Sequence, residues 1–292
     1  VIDRSLSDPD AQGTIRVVSS ATTHVGHVRA TNEDSMLAHP PIFLVADGMG
    51  GHNAGEVASA ITVEEFERLT LQENVSVEQL GDALTSAGDR IAALTGEAQQ
   101  GAGTTVALVA SMVLDGVGYW VVLNLGDSRV YRLSGEIFEQ VSVDHSVVQE
   151  LMDRGDLTPA EAEVHPYRHM VTRALGAGPD SEPDYWLIPA EVGDRMLICS
   201  DGLTNEVEDA SIERALRSPR DVRTIGEDLV RLALDAGGRD NVSVVIVEAV
   251  EILGLSLPPE STADLPGEDT DEHEIDEDTL PRGLEREAGE GR

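Results

Sequence analysis

Three apolar runs in this chain end on an aspartate that is followed at once by glycine or serine: Ile42–Gly48 (IFLVADG), Val121–Ser128 (VVLNLGDS) and Met196–Gly202 (MLICSDG). A fourth runs the other way, with Asp240-Asn241 leading into the apolar stretch Val242–Val247. Short apolar runs closed by Gly or Asn mark buried strands. A carboxylate at the end of a buried strand is rigidly held and partly desolvated, and several of them repel one another unless a cation lies between. Asp47, Asp127, Asp201 and Asp240 therefore ask for a polynuclear metal site. Hard oxygen donors suit Mg2+ or Mn2+ rather than Zn2+, and the chain has no cysteine cluster to offer a softer alternative. Two such cations a few ångströms apart can activate a water and clamp an in-line displacement at phosphorus. In Asp47-Gly48-Met49-Gly50-Gly51 the glycines permit a sharp turn, so that a carbonyl can face the same ion as the carboxylate. One Asp-Gly pair alone reads as a plain turn; four at strand ends point to metal.

A polar knot, Arg29-Ala30-Thr31-Asn32-Glu33-Asp34, lies between two strand-like stretches. The planar guanidinium fork of arginine binds a phosphoryl group bidentately. Taken alone, Arg29 is equally a surface arginine with no task. Glu33 and Asp34 are placed to reach metals through bound water.

The elements that must position these residues follow from periodicity. Arg16–Val28 and Ser35–Ala38 read as strands before Ile42–Gly48. Gly55–Leu71 and Val77–Ala98 carry apolar residues at three and four spacing and read as paired amphipathic helices, with Ser76 as an N-cap. Thr104–Leu114, Tyr119–Leu125, Val130–Leu133 and Ile137–Val141 follow as strands. Asp115-Gly116 and Ser134-Gly135 make hairpins between them, hence antiparallel sheet. Ser146–Gly155 and Thr158–Glu163 are short helical pieces. Tyr185–Pro189 and Asp194–Ser200 are strands, Asp209–Leu216 and Val222–Ala236 helices, and Val242–Val250 a strand that closes the sheet. Helix pairs interleaved with hairpins give an α+β layered sandwich.

Composition sets the limits. The 292 residues carry a formal net charge of −35, and all twenty basic residues are arginine. No basic stripe exists for nucleic acid or an anionic membrane surface, and an anionic substrate needs a local cation or arginine to enter such a field. The single Cys199 excludes an internal disulfide, fits a reducing compartment and reads as a buried structural thiol. No apolar stretch reaches the length of a membrane span and no signal pattern opens the chain, so a cytoplasmic protein is expected. Residues 1–13 read as a flexible arm, 14–250 as the folded body and 251–292 as an acidic, disordered tail. Thirteen acidic residues and three arginines lie between Glu260 and Arg292, too little apolar content to offset ordering entropy.

Arg29 with Glu33-Asp34, Asp47-Gly48-Met49-Gly50-Gly51, Gly103-Thr104-Thr105, Gly126-Asp127-Ser128-Arg129, Ser200-Asp201-Gly202 and Gly238-Arg239-Asp240-Asn241 occur in this order. Together they resemble the metal-dependent serine/threonine phosphatases of the protein phosphatase 2C (PPM) family in its compact bacterial form, over about residues 14–250. The resemblance implies a four-layer α-β-β-α sandwich, two central antiparallel sheets flanked by helix pairs. It implies that Asp47 bridges two core ions, Mn2+ or Mg2+, with the Gly48 carbonyl on one and Asp201 and Asp240 on the other. Glu33 and Asp34 would hold coordinated waters, Asp127 with Asp201 would form a third, weaker site, and Arg29 would bind phosphate. Metal-activated water would hydrolyse phosphoserine and phosphothreonine without a phosphoenzyme. Phosphorylated proteins are the implied partners, with Hanks-type serine/threonine kinases opposing the enzyme, which is expected to be a monomer.

Many eukaryotic relatives carry histidine directly after the bridging Asp-Gly; this chain has Met49, whose thioether cannot donate a proton. His52 is a candidate acid, though a structural loop role is the plainer reading. Val147–Met170 resembles the family's flap beside the site, and His145, His165 and His169 fall in or near it. A catalytically silent binding module is disfavoured, because Arg29 and the metal aspartates are all present. A hydrolase of small phosphoesters remains the other alternative.

Overall fold

In the computed structural model, which describes residues 14–50, 54–94, 101–177 and 182–253, the apolar runs form strands buried on both faces. Strand β3 (Ile42–Met49) turns Ile42, Leu44 and Ala46 to one cluster and Phe43 and Val45 to another. This is the period-two alternation of a strand covered on each side. In chain order the other elements are β1 (Thr14–His24), β2 (Asp34–His39), α1 (Ala54–Glu67), α2 (Val77–Ala92), β4 (Gly103–Thr104), β5 (Val106–Leu114), β6 (Val117–Leu125), β7 (Arg129–Ser134) and β8 (Ile137–Gln140). Then come α3 (Val147–Asp153), α4 (Pro159–Glu163), β9 (Asp184–Pro189), β10 (Arg195–Cys199), α5 (Asp201–Thr204), α6 (Asp209–Leu216), α7 (Val222–Ala236) and β11 (Val242–Leu253).

All strand pairs are antiparallel. One sheet runs β1-β11-β10-β7-β8; the other runs β2-β3-β5-β6-β9, with β4 on β3. Residues of α1 and α2 pack on the outer face of the second sheet, around Phe66, Leu80, Leu108 and Leu123. Residues of α5, α6 and α7 pack on the outer face of the first, around Leu203, Ile212, Leu229 and Ile246. Trp120, Met196, Ile198 and Val247 fill the layer between sheets. Each of these large side chains contributes roughly 2 kcal/mol on burial. The result is the expected α-β-β-α sandwich.

Local chemistry explains several boundaries. Asp115 and Gly116 both have positive φ, 52° and 78°, as a two-residue hairpin between β5 and β6 requires. Ser76 caps α2 in a reciprocal box with Gln79. Strand β1 ends at His24 rather than Val28, because the chain turns to the loop before β11, where His27 N–H donates to Gly238 O at 2.6 Å. Strand β11 continues to Leu253 and lies between β1 and β10, not at an edge. The tail expected from residue 251 therefore starts no earlier than 254: Glu251 pairs with Arg16 in register and by a 2.6 Å ion pair. The arm 1–13, the remainder of the tail, Gly51, His52 and the expected end of the second helix at Ala98 lie outside the described residues. Cys199 is buried, and burial pushes its thiol up to about 12, as fits a packing residue. No helix among the described residues is long and apolar enough to cross a membrane.

Candidate metal centre

The ends of both sheets meet at one edge of the sandwich. Asp34 opens β2 and is the cross-strand partner of Asp47, which lies near the end of β3. Asp240 precedes β11, Asp127 sits in the turn between β6 and β7, and Asp201 follows β10. Asp201 is in fact the first residue of the one-turn helix α5, a role too short for periodicity to reveal. The two sheets are bridged here by Ser200, whose hydroxyl donates to Asp34 Oδ2 at 3.0 Å and accepts from Ser243 N–H at 3.0 Å.

Two glycines make this convergence possible. A Cβ on Gly48 would stand 2.2 Å from Gly55 O and 2.6 Å from Glu33 O, and one on Gly202 would stand 1.9 Å from Asn241 O. Only a residue without a side chain allows backbones so close. Gly48 N–H donates to Glu33 O at 3.2 Å, and Ser59 Oγ donates to the same carbonyl at 2.6 Å.

Asn241 fastens the polar knot to the site. Its Oδ1 accepts from Glu33 N–H at 2.9 Å, and its Nδ2 donates to Val25 O and Thr31 O at 2.9 and 3.0 Å. Thr105 does the same for β3: its N–H donates to Asp47 O at 2.9 Å, while its hydroxyl accepts from Asp47 N–H at 3.0 Å and pairs with Ser128 Oγ at 2.8 Å. Asn205 Nδ2 donates to Asp201 Oδ2 at 2.9 Å. These supporting roles were not read from the sequence, although Asn241, Thr105, Ser128 and Ser200 all sit inside the quoted motifs. The signal was their position next to an aspartate or beside its partner strand.

The electrostatics are those of crowded carboxylates. Burial, then the charges of Asp34, Asp201, Asp127 and Asp240, raise Asp47 well above the usual carboxylate range. Burial and repulsion from Asp201 and Asp144 raise Asp127. Burial followed by the charge of Asp240 raises Asp201, against a hydrogen bond from Asn205. Burial pushes Asp34 up to about 7, against hydrogen bonds from Ser243 and Ser200. Glu33 is raised by burial as well. Arg29 faces them from the rim: its NH2 lies 2.6 Å from Asp240 Oδ2, and that hydrogen bond holds the guanidinium above its ordinary value, while the charge of Arg129 acts on Asp127.

Several observations decide whether this set fits divalent ions. Asp34 Oδ1 is buried with no hydrogen-bond partner among the described residues. Among the described residues, five half-buried aspartates face Arg29 and, at Asp127, Arg129, which is already paired with Asp144; a protein interior does not hold such a charge excess without a counterion. All the donors are oxygen, as Mn2+ and Mg2+ prefer. Among the described residues no three His, Cys, Asp or Glu side chains are gathered closely enough to hold an ion as they stand. The residues present offer the donor chemistry of hard cations, and their carboxylates would have to close in to hold one.

The expected flap, Val147–Met170, consists of α3, α4 and connecting turns, and its two ends meet. Val147 N–H donates to Met170 O at 2.9 Å, beside a Ser146–Val171 bridge. His145 is buried and hydrogen-bonded at the base. His165 Nδ1 accepts from Tyr167 N–H at 3.2 Å. His169 is exposed and near enough to Asp201 to favour its charged form. Met49 is half-buried and follows Gly48 on β3.

Known proteins resemble this chain in sequence and fold. The family model described as Protein phosphatase 2C matches residues 26–241. The serine/threonine protein phosphatase PstP of Mycobacterium tuberculosis is 38% identical over 245 residues, which cover 82% of this chain and 46% of PstP. The chain thus spans about half the length of that relative. Protein phosphatase PhpP of Streptococcus pneumoniae is 34% identical over 256 residues, covering 80% of this chain and 97% of PhpP. The crystal structure of the PstP catalytic domain in complex with two manganese ions superposes with a TM-score of 0.74 at 36% identity, covering 82% of this chain and 100% of that one. With its sandwich and its aspartate-lined edge, the chain belongs to the protein phosphatase 2C family.

Proposed function

We propose that this chain is a metal-dependent protein serine/threonine phosphatase that hydrolyses phosphoserine and phosphothreonine. The observation that carries the reading is the convergence of Asp34, Asp47, Asp127, Asp201 and Asp240 on one edge of the sandwich, with Arg29 paired to Asp240. Asp47, the Gly48 carbonyl, Asp201 and Asp240 would hold two core cations, Mn2+ or Mg2+, with Glu33 and Asp34 acting through water and Asp127 with Asp201 at a third, weaker position. When bound, these ions would neutralise the carboxylates and supply an activated water for attack at phosphorus. PstP, whose catalytic domain was crystallised with two manganese ions, supports this assignment by likeness.

The chain's own residues do the rest. Arg29 is half-exposed on the rim and orients the phosphoryl group through its fork. Its NH2 is paired with Asp240, so substrate and Asp240 compete for the same guanidinium. Thr105, Asn241 and Ser200 fix the carboxylate-bearing backbone before substrate arrives. Val147–Met170 lies beside the site, where it would meet a protein substrate. Phosphorylated targets of bacterial serine/threonine kinases are the natural substrate class. The single buried cysteine fits a cytosolic setting, and one chain carries every proposed ligand, so a monomer suffices.

The test is phosphate release from a phosphothreonine peptide with Mn2+, with EDTA, and in Asp201→Ala and Asp240→Ala. The reading expects turnover only with Mn2+ and a loss of at least about a hundredfold in either variant, the scale of an interaction made in the transition state. Equal rates in wild type and both variants would sink it.

A further inference from the structure

His145, 5% exposed, is the one buried histidine among the described residues. Its ring meets three polar groups from three parts of the chain. Nδ1 accepts from Gly126 N–H at 3.1 Å, directly before Asp127. Nε2 lies 3.1 Å from Asp184 Oδ2 at the start of β9, and 3.4 Å from NH1 of Arg173. Arg173 NH1 is in turn 3.6 Å from Asp184 Oδ1. Because an amide N–H faces Nδ1, the ring proton of the neutral imidazole belongs on Nε2, donated to Asp184.

The backbone of the same residue makes two more ties. His145 N–H donates to Gly126 O at 2.8 Å, and His145 O accepts from Thr172 N–H at 2.8 Å, at the foot of the Val147–Met170 segment. One residue earlier, Asp144 is gripped by Arg129 through bonds of 2.9, 3.1 and 2.7 Å, two residues after Asp127. Residues 144 and 145 thus hold the turn that carries Asp127, and they also carry one end of the flap-like segment, with the other end bonded to them.

We propose that His145 is a positioning residue: it latches both ends of Val147–Met170 to the turn that carries Asp127, so that displacement of this segment reaches Asp127 through Gly126. A histidine suits the task because its rigid ring presents an acceptor and a donor in different directions. Asparagine reaches only as far as Nδ1 and keeps the Gly126 tie; glutamine reaches as far as Nε2 and keeps the Asp184 tie. The consequence for turnover rests on the phosphatase reading; the latch itself does not.

The test uses the full chain with His145→Asn, His145→Gln and Asp184→Ala. The first readout is amide hydrogen exchange in EDTA, followed by mass spectrometry over residues 124–129 and 147–170. In His145→Gln exchange over 124–129 is expected to rise about fivefold, the factor that one lost hydrogen bond carries, with residues 14–24 and 242–253 unchanged. His145→Asn should leave 124–129 within about twofold of wild type and loosen 147–170. In Asp184→Ala the ring still fills its site, but Arg173 becomes its only polar neighbour at Nε2. The ring proton is then driven to Nδ1, against Gly126 N–H, and 124–129 loosens again. Asp184 is half-exposed, so this variant folds and decides alone should His145→Gln not fold. The second readout is the Mn2+ concentration for half-maximal phosphate release, which should rise about fivefold in His145→Gln and Asp184→Ala and stay near wild type in His145→Asn. Unchanged exchange over 124–129 in both His145→Gln and Asp184→Ala overturns the latch. A rise by one factor across all strands does so too, since it marks a packing role alone. Wild-type protein without Mn2+-dependent turnover overturns the phosphatase reading and leaves the exchange result standing.

Discussion

Asp34 shows how far burial reshapes a carboxylate. Its folded value, about 7, lies above the unfolded 3.8. Between those values the native state binds the extra proton, so this group costs nothing below the unfolded value, destabilises increasingly as pH rises through that window and adds nothing further above the folded value. Asp47, Asp127 and Asp201 shift in the same direction. In EDTA the melting temperature should therefore fall from about pH 5 to about pH 8, and saturating Mn2+ should flatten that slope, because cations replace the protons. Parallel slopes with and without Mn2+ would contradict a shared site. Asp47→Asn removes one charge from the crowd: in EDTA its melting temperature should rise by about 2–4 °C, the shift of about 1 kcal/mol in a domain of this size. The same variant should lose the stabilisation by Mn2+. Arg29→Ala should raise KM for a phosphopeptide about 10- to 100-fold, the scale of a charge-assisted pair. Its melting temperature should barely move, since Arg29 is half-exposed in its pair with Asp240.

At the scale of elements, the site is made by chain segments crossing closer than side chains allow. Gly202 touches the Asn241 carbonyl, so Gly202→Ala must push α5 and the start of β11 apart. A destabilisation of about 1–3 kcal/mol is expected from such overpacking, read as a lower denaturant midpoint; an unchanged midpoint would mean that the two backbones can part freely. Much of this level was legible in the sequence. The hairpin at Asp115-Gly116, the cap at Ser76 and the helices Asp209–Leu216 and Val222–Ala236 follow from turn chemistry, capping and amphipathic period, and the structure has them at those residues. The central place of β11 was not legible, because strand order is set by partners far away in sequence. Asn241 and Thr105 were hidden for a related reason. Their bonds run from side chain to distant backbone, Asn241 to Thr31 and Thr105 to Asp47, and leave no periodic trace. The aspartates themselves were visible because they interrupt apolar runs.

For the whole molecule, the net charge of −35 and the proposed phosphate site are reconciled only if the acidic edge carries cations. The thirteen acidic residues from Glu260 onward add to the general field but supply no proposed ligand. Removing residues 258–292 should leave peptide hydrolysis within about twofold at physiological salt, where charges beyond ~8 Å are screened; a large loss would assign the tail a direct role. The central claim is that the strand-end aspartates form one divalent metal centre. Diffraction from Mn2+-soaked crystals at the manganese absorption edge addresses it directly. Two strong anomalous peaks flanking the Asp47 carboxylate, one of them also touching Asp201 and Asp240, are the predicted result. An edge without anomalous density at saturating Mn2+, or density that leaves Asp47 untouched, would contradict it.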